Sequence, residues 1–597
     1  MLIWIFAVLL SFAKISSSSP LIARDAQVTF DSLPASKELN WLPCYDIFQC
    51  AKLDLPLDPD DPSEDLRVSI PLLKYAANLT SDGQYAGMML FNPGGPGSPG
   101  TSFLPGKETI LAEVFGPTWD IVTFDTRGTG FASPSTNCSN ESTTGTSQAP
   151  LSRRAAGLIA PTEIELYFQQ ELEVAYTIGA QCNATIGANS SSIGHYVSTY
   201  YTVRDMLAIV DAYSKSPAAA NVTDAGLVHY YGLSAGTIIG QTLASEFPEK
   251  LGRVILDGVV DPNDYVSGKD MTSIYLEDEI FEQFLRLCQL AGPTKCAFAQ
   301  DTDEPLFNRF ETLIGKLDPV VASANAWANA SDIATALALI QGSLGGFSFF
   351  PIASYPALGS LLAAVEPIIL HNFSISALES VFANVSGTAS IFTQAQPAIT
   401  FRTEWETSIL CSDADFVFGQ NVSTSDGDLL TLRNQSYLGG DSEYAAHHVQ
   451  CAGWPIVAHK RFRGPFGSFA KNCTCHKGGS CNPIQFVGIT LDYATPLANA
   501  VSSSALFEGS KVIAIDSIGH TGISAFNQCS LKAIQQYLIT GQPLQIFCPL
   551  ETVPFNITTL SEYGWVKDGK LASNQTRIYG NSEGEGPLIS TKFNQTG

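Results

Sequence analysis

The stretch Leu227-Val228-His229-Tyr230-Tyr231-Gly232-Leu233-Ser234-Ala235-Gly236 runs from a short apolar, aromatic-rich segment into the pattern G-x-S-x-G. Residues 227–231 read as a buried strand. The small and apolar residues over 233–247, stopped by Pro248, read as a helix packed on the sheet. A serine between a strand and a helix occupies a sharp turn that exposes its hydroxyl, and flanking glycines relieve that turn. Without the context the pentapeptide is only a Gly-Ser turn, because such matches arise by chance in a chain of 597 residues.

Outward from this elbow, apolar runs at 88–91, 121–124 and 254–256 also read as buried strands, and they alternate with helical stretches. That is the mark of βαβ units around a mostly parallel, doubly wound α/β sheet. Strand character returns at 486–491 and 512–515, followed by a helix over 531–539. Between these blocks, 265–455 carries longer helical segments such as 280–290 and 333–340, with no clear strand, and reads as a large, mainly helical cap inserted into the core. The expected organisation is a signal peptide at 1–18, a core in two parts at 38–262 and 456–549, the cap between them, and a loosely packed polar tail at 550–597. No internal repeat is found.

A serine hydroxyl is a weak nucleophile at neutral pH, so it needs a base, and the base needs a group that fixes its tautomer. On a strand–elbow–helix scaffold the acid and then the histidine follow the serine in the chain. Asp492 ends the strand at 486–491, and His520 follows the strand at 512–515 in Ile518-Gly519-His520-Thr521. Both therefore come to the sheet edge that carries the elbow, where parallel sheets build their sites. The rivals His371, His447, His448, His459 and His476 fall in the cap or in a cysteine cluster. Gly95, Gly97 and Gly100, in Phe91-Asn92-Pro93-Gly94-Gly95-Pro96-Gly97-Ser98-Pro99-Gly100, match a dinucleotide loop, but three prolines remove amide donors a phosphate would need. A glycine-rich loop after this strand instead supplies one amide of an oxyanion hole, the other coming from the residue after the nucleophile. The expected donors are the N–H groups of Gly95 and Ala235.

Lys and Arg number 32 against 57 Asp and Glu, a formal charge of −25, which has the wrong sign for nucleic acid or an anionic membrane. An apolar run at 2–12, too short to span a bilayer, precedes a serine-rich stretch and reads as an export signal, and no later run or C-terminal tail reads as a membrane anchor. Fifteen N-x-S/T sequons, among them Asn78, Asn183, Asn221, Asn384 and Asn556, agree with a secreted, extracellular chain. Thirteen cysteines are then read as disulfides, with Cys44–Cys50, Cys288–Cys296 and Cys529–Cys548 the easiest pairs. Cys473, Cys475, His476 and Cys481 have zinc-type donors, but an oxidising compartment favours bridging, and no metal or cofactor is called for.

Trp41, Cys44 and Cys50, Asn92 to Gly97, Asp125-Thr126-Arg127-Gly128-Thr129-Gly130, the Ser234 elbow, Leu256-Asp257-Gly258-Val259-Val260-Asp261-Pro262, Cys451 with Trp454, Asp492 and His520 together resemble the tripeptidyl aminopeptidase branch of the prolyl aminopeptidase-like serine peptidases, over about 38–549. The resemblance implies an α/β-hydrolase fold, a TAP-like C-terminal part carrying the Asp and His, and a secreted enzyme that removes residues from peptide N-termini through an acyl-enzyme. Two positions depart from the pattern: Ala235 replaces an aromatic residue after the nucleophile, and Ala132 a serine after the Arg-Gly-x-Gly turn. An aminopeptidase needs an acidic group for the substrate ammonium, and Glu277, Glu279, Glu282, Glu404 and Glu406 of the cap are candidates, though on spacing alone they also fit a solvated helix face. The alternative is a carboxylesterase or amide hydrolase acting on a small metabolite with the same triad. A binding protein without catalysis is disfavoured because nucleophile, acid, base and oxyanion loop are all present.

Overall fold

The computed structural model describes residues 28–61, 65–79, 83–138, 161–299, 305–317, 328, 330–388, 402–423, 425–436, 438–467, 482–557, 566–567 and 570–571. The proposed export signal and the cluster Cys473, Cys475, His476 and Cys481 lie outside the described residues.

Ten strands form one sheet: β1 (Leu42–Cys44), β2 (Phe48–Pro56), β3 (Arg67–Tyr75), β4 (Gly87–Asn92), β5 (Trp119–Phe124), β6 (Val228–Leu233), β7 (Leu251–Asp257), β8 (Gln485–Leu491), β9 (Lys511–Ile518) and β10 (Ile546–Cys548). Their order is β1-β2-β3-β5-β4-β6-β7-β8-β9-β10. Every pairing from β5 to β10 is parallel. β4, β5 and β6 are buried at every position, as strands covered on both faces must be. Helices Thr199–Ser214 and Gly236–Glu246 pack on one face of the sheet, and Glu108–Phe115 and Gln528–Thr540 on the other. This is the α/β architecture read from the sequence.

The antiparallel edge β1–β3 and the last strand β10 were not among the expected strands. Pro71 sits inside β3, and a proline within an apolar run argues against a strand, yet here it lies one residue beyond the β3–β5 pairing, which begins at Leu72 and Phe124, and its carbonyl accepts the N–H of Asp125 at 3.2 Å. The helix expected over 233–247 begins only at Gly236, because Ser234 is in the left-handed region (φ 53°). The start of the expected loose tail is packed instead: Val553, Phe555 and Ile557 are buried in the apolar core of the inserted helices, and Phe555 lies against Tyr355.

Between β7 and β8 the described chain is helical, including Glu277–Ala291, Leu306–Lys316, Ala330–Ser348, Pro351–Leu370, Ile375–Thr388 and Thr403–Asp413. Pro351–Leu370 is long and apolar enough by composition to cross a membrane, and it buries Tyr355, Leu358, Leu361, Leu362 and Val365 among its neighbours. The insertion's core includes Leu491 of β8 and Ile518 of β9, so it rests on the strand ends. Asp413 fastens it further: it accepts hydrogen bonds from the Thr199 N–H (2.9 Å), the Thr199 hydroxyl (2.6 Å) and Tyr265 (3.1 Å). Five cystines are present among the described residues. Cys44–Cys50, Cys288–Cys296 and Cys529–Cys548 form as expected, and Cys138–Cys182 and Cys411–Cys451 add long-range links.

Burial pushes Asp413 up to about 6 against the opposing hydrogen bonds from Thr199 and Tyr265. Between the ordinary carboxylate range and about 6, the folded chain holds a proton that the unfolded chain has released, so this group's contribution to stability falls as pH rises through that window. Asp413→Asn is expected to flatten the dependence of melting temperature on pH between about 4 and about 6, measured by calorimetry.

Candidate active site

β6 ends against β7 with Leu233 paired to Asp257, and the Ser234 N–H donates to the Asp257 carbonyl at 3.0 Å. The chain then turns at once into the helix Gly236–Glu246, with Ser234 held at φ 53°. This conformation is costly for a non-glycine residue and persists only where its surroundings enforce it. The enforcement is visible in the neighbours: the Ser234 carbonyl accepts from the Thr237 N–H (2.8 Å) and hydroxyl (2.6 Å), and Tyr230 donates to the Gly236 carbonyl at 2.8 Å. A Cβ on Gly232 would lie 2.5 Å from the Gly236 carbonyl oxygen, so the pattern's glycine there is required by close approach.

The glycine-rich loop after β4 lies directly on this elbow. Asn92 Oδ1 accepts the Gly94 N–H at 2.9 Å, Gly94 and Gly95 have φ of 91° and 114°, and a Cβ on Gly94 would meet Leu233 O at 2.5 Å and Ala235 N at 2.8 Å. No group among the described residues accepts a hydrogen bond from the N–H of Gly95 or of Ala235. Ala235 is also the N-cap of a helix, where aligned peptide dipoles favour negative charge. Two unsatisfied amides at the foot of the elbow can receive a developing oxyanion.

Asp492 and His520 meet at the ends of β8 and β9. His520 Nδ1 is 2.8 Å from Asp492 Oδ1 and 3.2 Å from Thr495 Oγ1. Asp492 is fully buried, and it also accepts the N–H groups of Ala494 (3.0 Å), Thr495 (2.9 Å) and Thr521 (2.9 Å). Those bonds fix the carboxylate, and the carboxylate fixes the tautomer that leaves Nε2 free as a base. The elbow and the histidine loop are joined by Asp257, whose carboxylate accepts the Gly522 N–H at 2.7 Å. A Cβ on Gly258 would stand 2.5 Å from Thr521 Cγ2, which shows how closely the two loops pack.

The inserted helices touch this centre at two points. The His520 N–H donates to the Phe349 carbonyl at 3.0 Å, and the Phe349 ring stands edge-to-face on the imidazole at 5.0 Å between centroids and lies 5.6 Å from Tyr493. On the other side, a Cβ on Gly97 would lie 3.0–3.2 Å from the backbone of Trp405 and Glu406, so the first turn of helix Thr403–Asp413 is seated on the glycine-rich loop.

The five acidic candidates separate. Glu277 is buried, accepts from the Ser436 hydroxyl at 3.1 Å, and lines a small cleft with Phe281, Leu344, Ser348 and Tyr493. Glu404 is buried beside Arg402, and Glu406 is half-buried. Glu279 and Glu282 instead line an open groove of about 570 Å³ with Arg286 and Phe307. Among the described residues one group, Asp270, Glu443 and His447, brings three metal-type donors together. Burial opposes charge on His447, but Asp270 and Glu443 outweigh it and push the imidazole up to about 10. His447 Nδ1 lies 2.5 Å from Asp270 Oδ2 and 3.6 Å from Glu443 Oε1, so the three side chains form an ion-pair cluster.

Sequence reasoning assigned no role to Asp257, Thr495 or Phe349. Asp257 does end an apolar strand beside the elbow strand, as Asp492 ends β8, and that position was the available signal.

Residues 440–545, which include both Asp492 and His520, match the family described as TAP-like protein. The chain has an α/β-hydrolase fold, and its part at 440–545 is similar to the TAP-like family. It is 31% identical over 218 residues to the serine protease Hip1 of Mycobacterium tuberculosis, a match covering 36% of this chain and 36% of that protein. The chain thus spans about a third of the length of that curated relative. It is 23% identical over 511 residues to the tripeptidyl aminopeptidase of Streptomyces lividans, covering 83% of this chain and 82% of that one. An acetylester hydrolase from Corynebacterium glutamicum overlaps 83% of this chain and 96% of its own at 12% identity, with a TM-score of 0.29. The fold rests on the sheet described above.

The approach of Gly94 to the elbow gives a direct test. Gly94→Ala should reduce hydrolysis of an activated ester by about 10²-fold or more through displacement of the elbow amide, while circular dichroism stays unchanged. Retention of full activity would mean that these amides do not serve the reaction.

Proposed function

We propose that this chain is a secreted serine hydrolase that releases residues from the N-termini of peptides through an acyl-enzyme. The observation that carries the reading is a strained serine elbow, two unsatisfied amides and a buried Asp–His pair gathered at one edge of the sheet. The Ser234 hydroxyl attacks the scissile carbonyl as His520 Nε2 takes its proton. The oxyanion of the tetrahedral intermediate receives the N–H groups of Gly95 and Ala235, each worth roughly 3 kcal/mol in comparable sites. His520 then passes the proton to the leaving amine, and water, activated by the same nitrogen, hydrolyses the ester. Asp492 orients the imidazole and stabilises its charged form. Secretion is supported by the sequons and by five cystines, which persist in oxidising compartments.

The aminopeptidase assignment is supported by the named relatives and by the acidic residues of the helical cap, of which Glu277 and Glu404 are buried. A carboxylate in the cap can accept a charge-assisted hydrogen bond from a free α-ammonium, and an acylated nitrogen cannot supply that bond. A hydrolase of small esters or amides is the second reading, favoured by Ala235, a small residue beside Ser234 where the family that the chain resembles carries an aromatic one.

Ser234→Ala should lower turnover on the order of 10⁶-fold without unfolding the chain, and it should abolish labelling by a fluorophosphonate. Asp492→Asn should cost about 10⁴-fold by favouring the wrong tautomer. Free-amine peptide anilides should be cleaved at least about 10²-fold faster than their N-acetylated forms. Equal rates on both, or activity confined to short acyl esters, would replace the peptidase reading with the small-molecule one.

A further inference from the structure

Asp257 is a buried carboxylate to which the reaction above gives no task. It ends β7 beneath the elbow, is fully buried, and makes three contacts that converge on the site. Its main-chain carbonyl accepts the Ser234 N–H at 3.0 Å, Oδ1 accepts the Gly522 N–H at 2.7 Å, and Oδ2 accepts the Tyr231 hydroxyl at 2.5 Å. Gly522 lies two residues beyond His520. Between them Thr521 is held at φ 61°, a conformation that a β-branched residue adopts only when its neighbours enforce it. A Cβ on Gly522 would come within 2.7 Å of Asp257 Oδ2, so the loop is seated on this carboxylate with no space between.

We propose that Asp257 is a positioning residue of the catalytic centre: through its carbonyl it holds the nucleophile elbow, and through its carboxylate it holds the loop that presents His520. The proposal rests on the assignment of Ser234 and His520 made above. One residue thereby touches both ends of the proton-transfer pair, its carbonyl meeting the elbow and its carboxylate the histidine loop.

The charge matters because it is not constant. Burial pushes the Asp257 carboxyl up to about 7, against the opposing pull of Tyr231 and Gly522, while Asp492 raises it and His520 lowers it. These are the groups that face it: Tyr231 from β6, Asp492 after β8, and His520 with Gly522 after β9. The protonation state of Asp257 therefore changes near neutrality, and with it the charge beside the loop that carries His520. Removing that titration removes its contribution to the pH dependence of the centre.

The test follows the rate of Ser234 labelling by a fluorophosphonate as a function of pH, in the full chain and in two variants, beside kcat and KM on whichever substrate the parent turns over. Asp257→Asn keeps an acceptor for the Gly522 N–H and removes the charge. Its pH profile should differ from the parent's near pH 7, where Asp257 titrates, and its plateau rate should fall less than that of the Ala variant. Asp257→Ala removes the support as well, and its plateau labelling rate and kcat should fall by about 10²-fold with KM little changed. An Asn variant whose profile superimposes on that of the parent overturns the proposal, and so does an Ala variant that labels at the parental rate. A parent chain that is not labelled at all overturns the nucleophile assignment, and the proposal with it.

Discussion

The hydrogen bond from the Ser234 N–H to the Asp257 carbonyl is the contact from which the rest of the site follows. β6 and β7 are parallel and in register up to Leu233 and Asp257. One further bond along that ladder, made with Ser234 at φ 53°, bends the chain out of the sheet and starts a helix in the same step. The turn leaves no volume around it. Gly232, Gly236 and Gly94 are therefore glycine for steric reasons, since a Cβ at each would lie within 2.8 Å of a backbone atom of an adjacent segment. The G-x-S-x-G pattern and the Asn92-Pro93-Gly94-Gly95 loop are thus two halves of one packing requirement, and the free amides of Gly95 and Ala235 are its product.

The second half of the centre obeys a different rule. Asp492 and His520 are positioned by hydrogen bonds to loop backbone, and each loop is held from both sides. The histidine loop receives Asp492 and Asp257 from the sheet and the Phe349 carbonyl from the inserted helices. Because the Phe349 carbonyl and ring both engage His520, and helix Thr403–Asp413 rests on the glycine-rich loop, the insertion is part of the wall of the site. Substitutions at Phe349 would therefore change the contacts that hold His520.

The parts legible in the sequence are those where a strong local pattern ends at a chemically distinctive residue. β6, β8 and β9 each contain a short apolar or aromatic run, and Ser234, Asp492 and His520 stand at or just past their ends, so strand recognition placed all three on one edge. β2 and β3 were less legible, because they alternate polar with apolar residues and contain Pro56 and Pro71. Asp257 was passed over because an aspartate before a glycine at a strand end reads equally as a turn residue. Phe349 had no local signal, since its contact with His520 comes from the way the insertion folds back onto the sheet. The acidic candidates of the cap formed a single class on spacing. Burial alone separates Glu277 and Glu404 from Glu279 and Glu282.

A recurring device underlies these observations: a buried aspartate at the end of a regular element, used as acceptor for donors from a neighbouring segment. Asp125 takes the Thr101 N–H and hydroxyl and the Phe131 N–H, and burial pushes it up to about 6. Asp413 takes the N–H and hydroxyl of Thr199 and the Tyr265 hydroxyl, and it also stands at about 6. Asp257 has two such donors to its carboxylate and stands at about 7. In each, burial raises the carboxyl and the donors oppose it. Asp492, which faces His520, accepts three backbone N–H groups in addition to the histidine. Chemically identical side chains are thus given different surroundings by the amides and hydroxyls turned toward each. Each amide is set by a loop conformation, so the electrostatics of the centre and the fold of its loops are specified by the same residues.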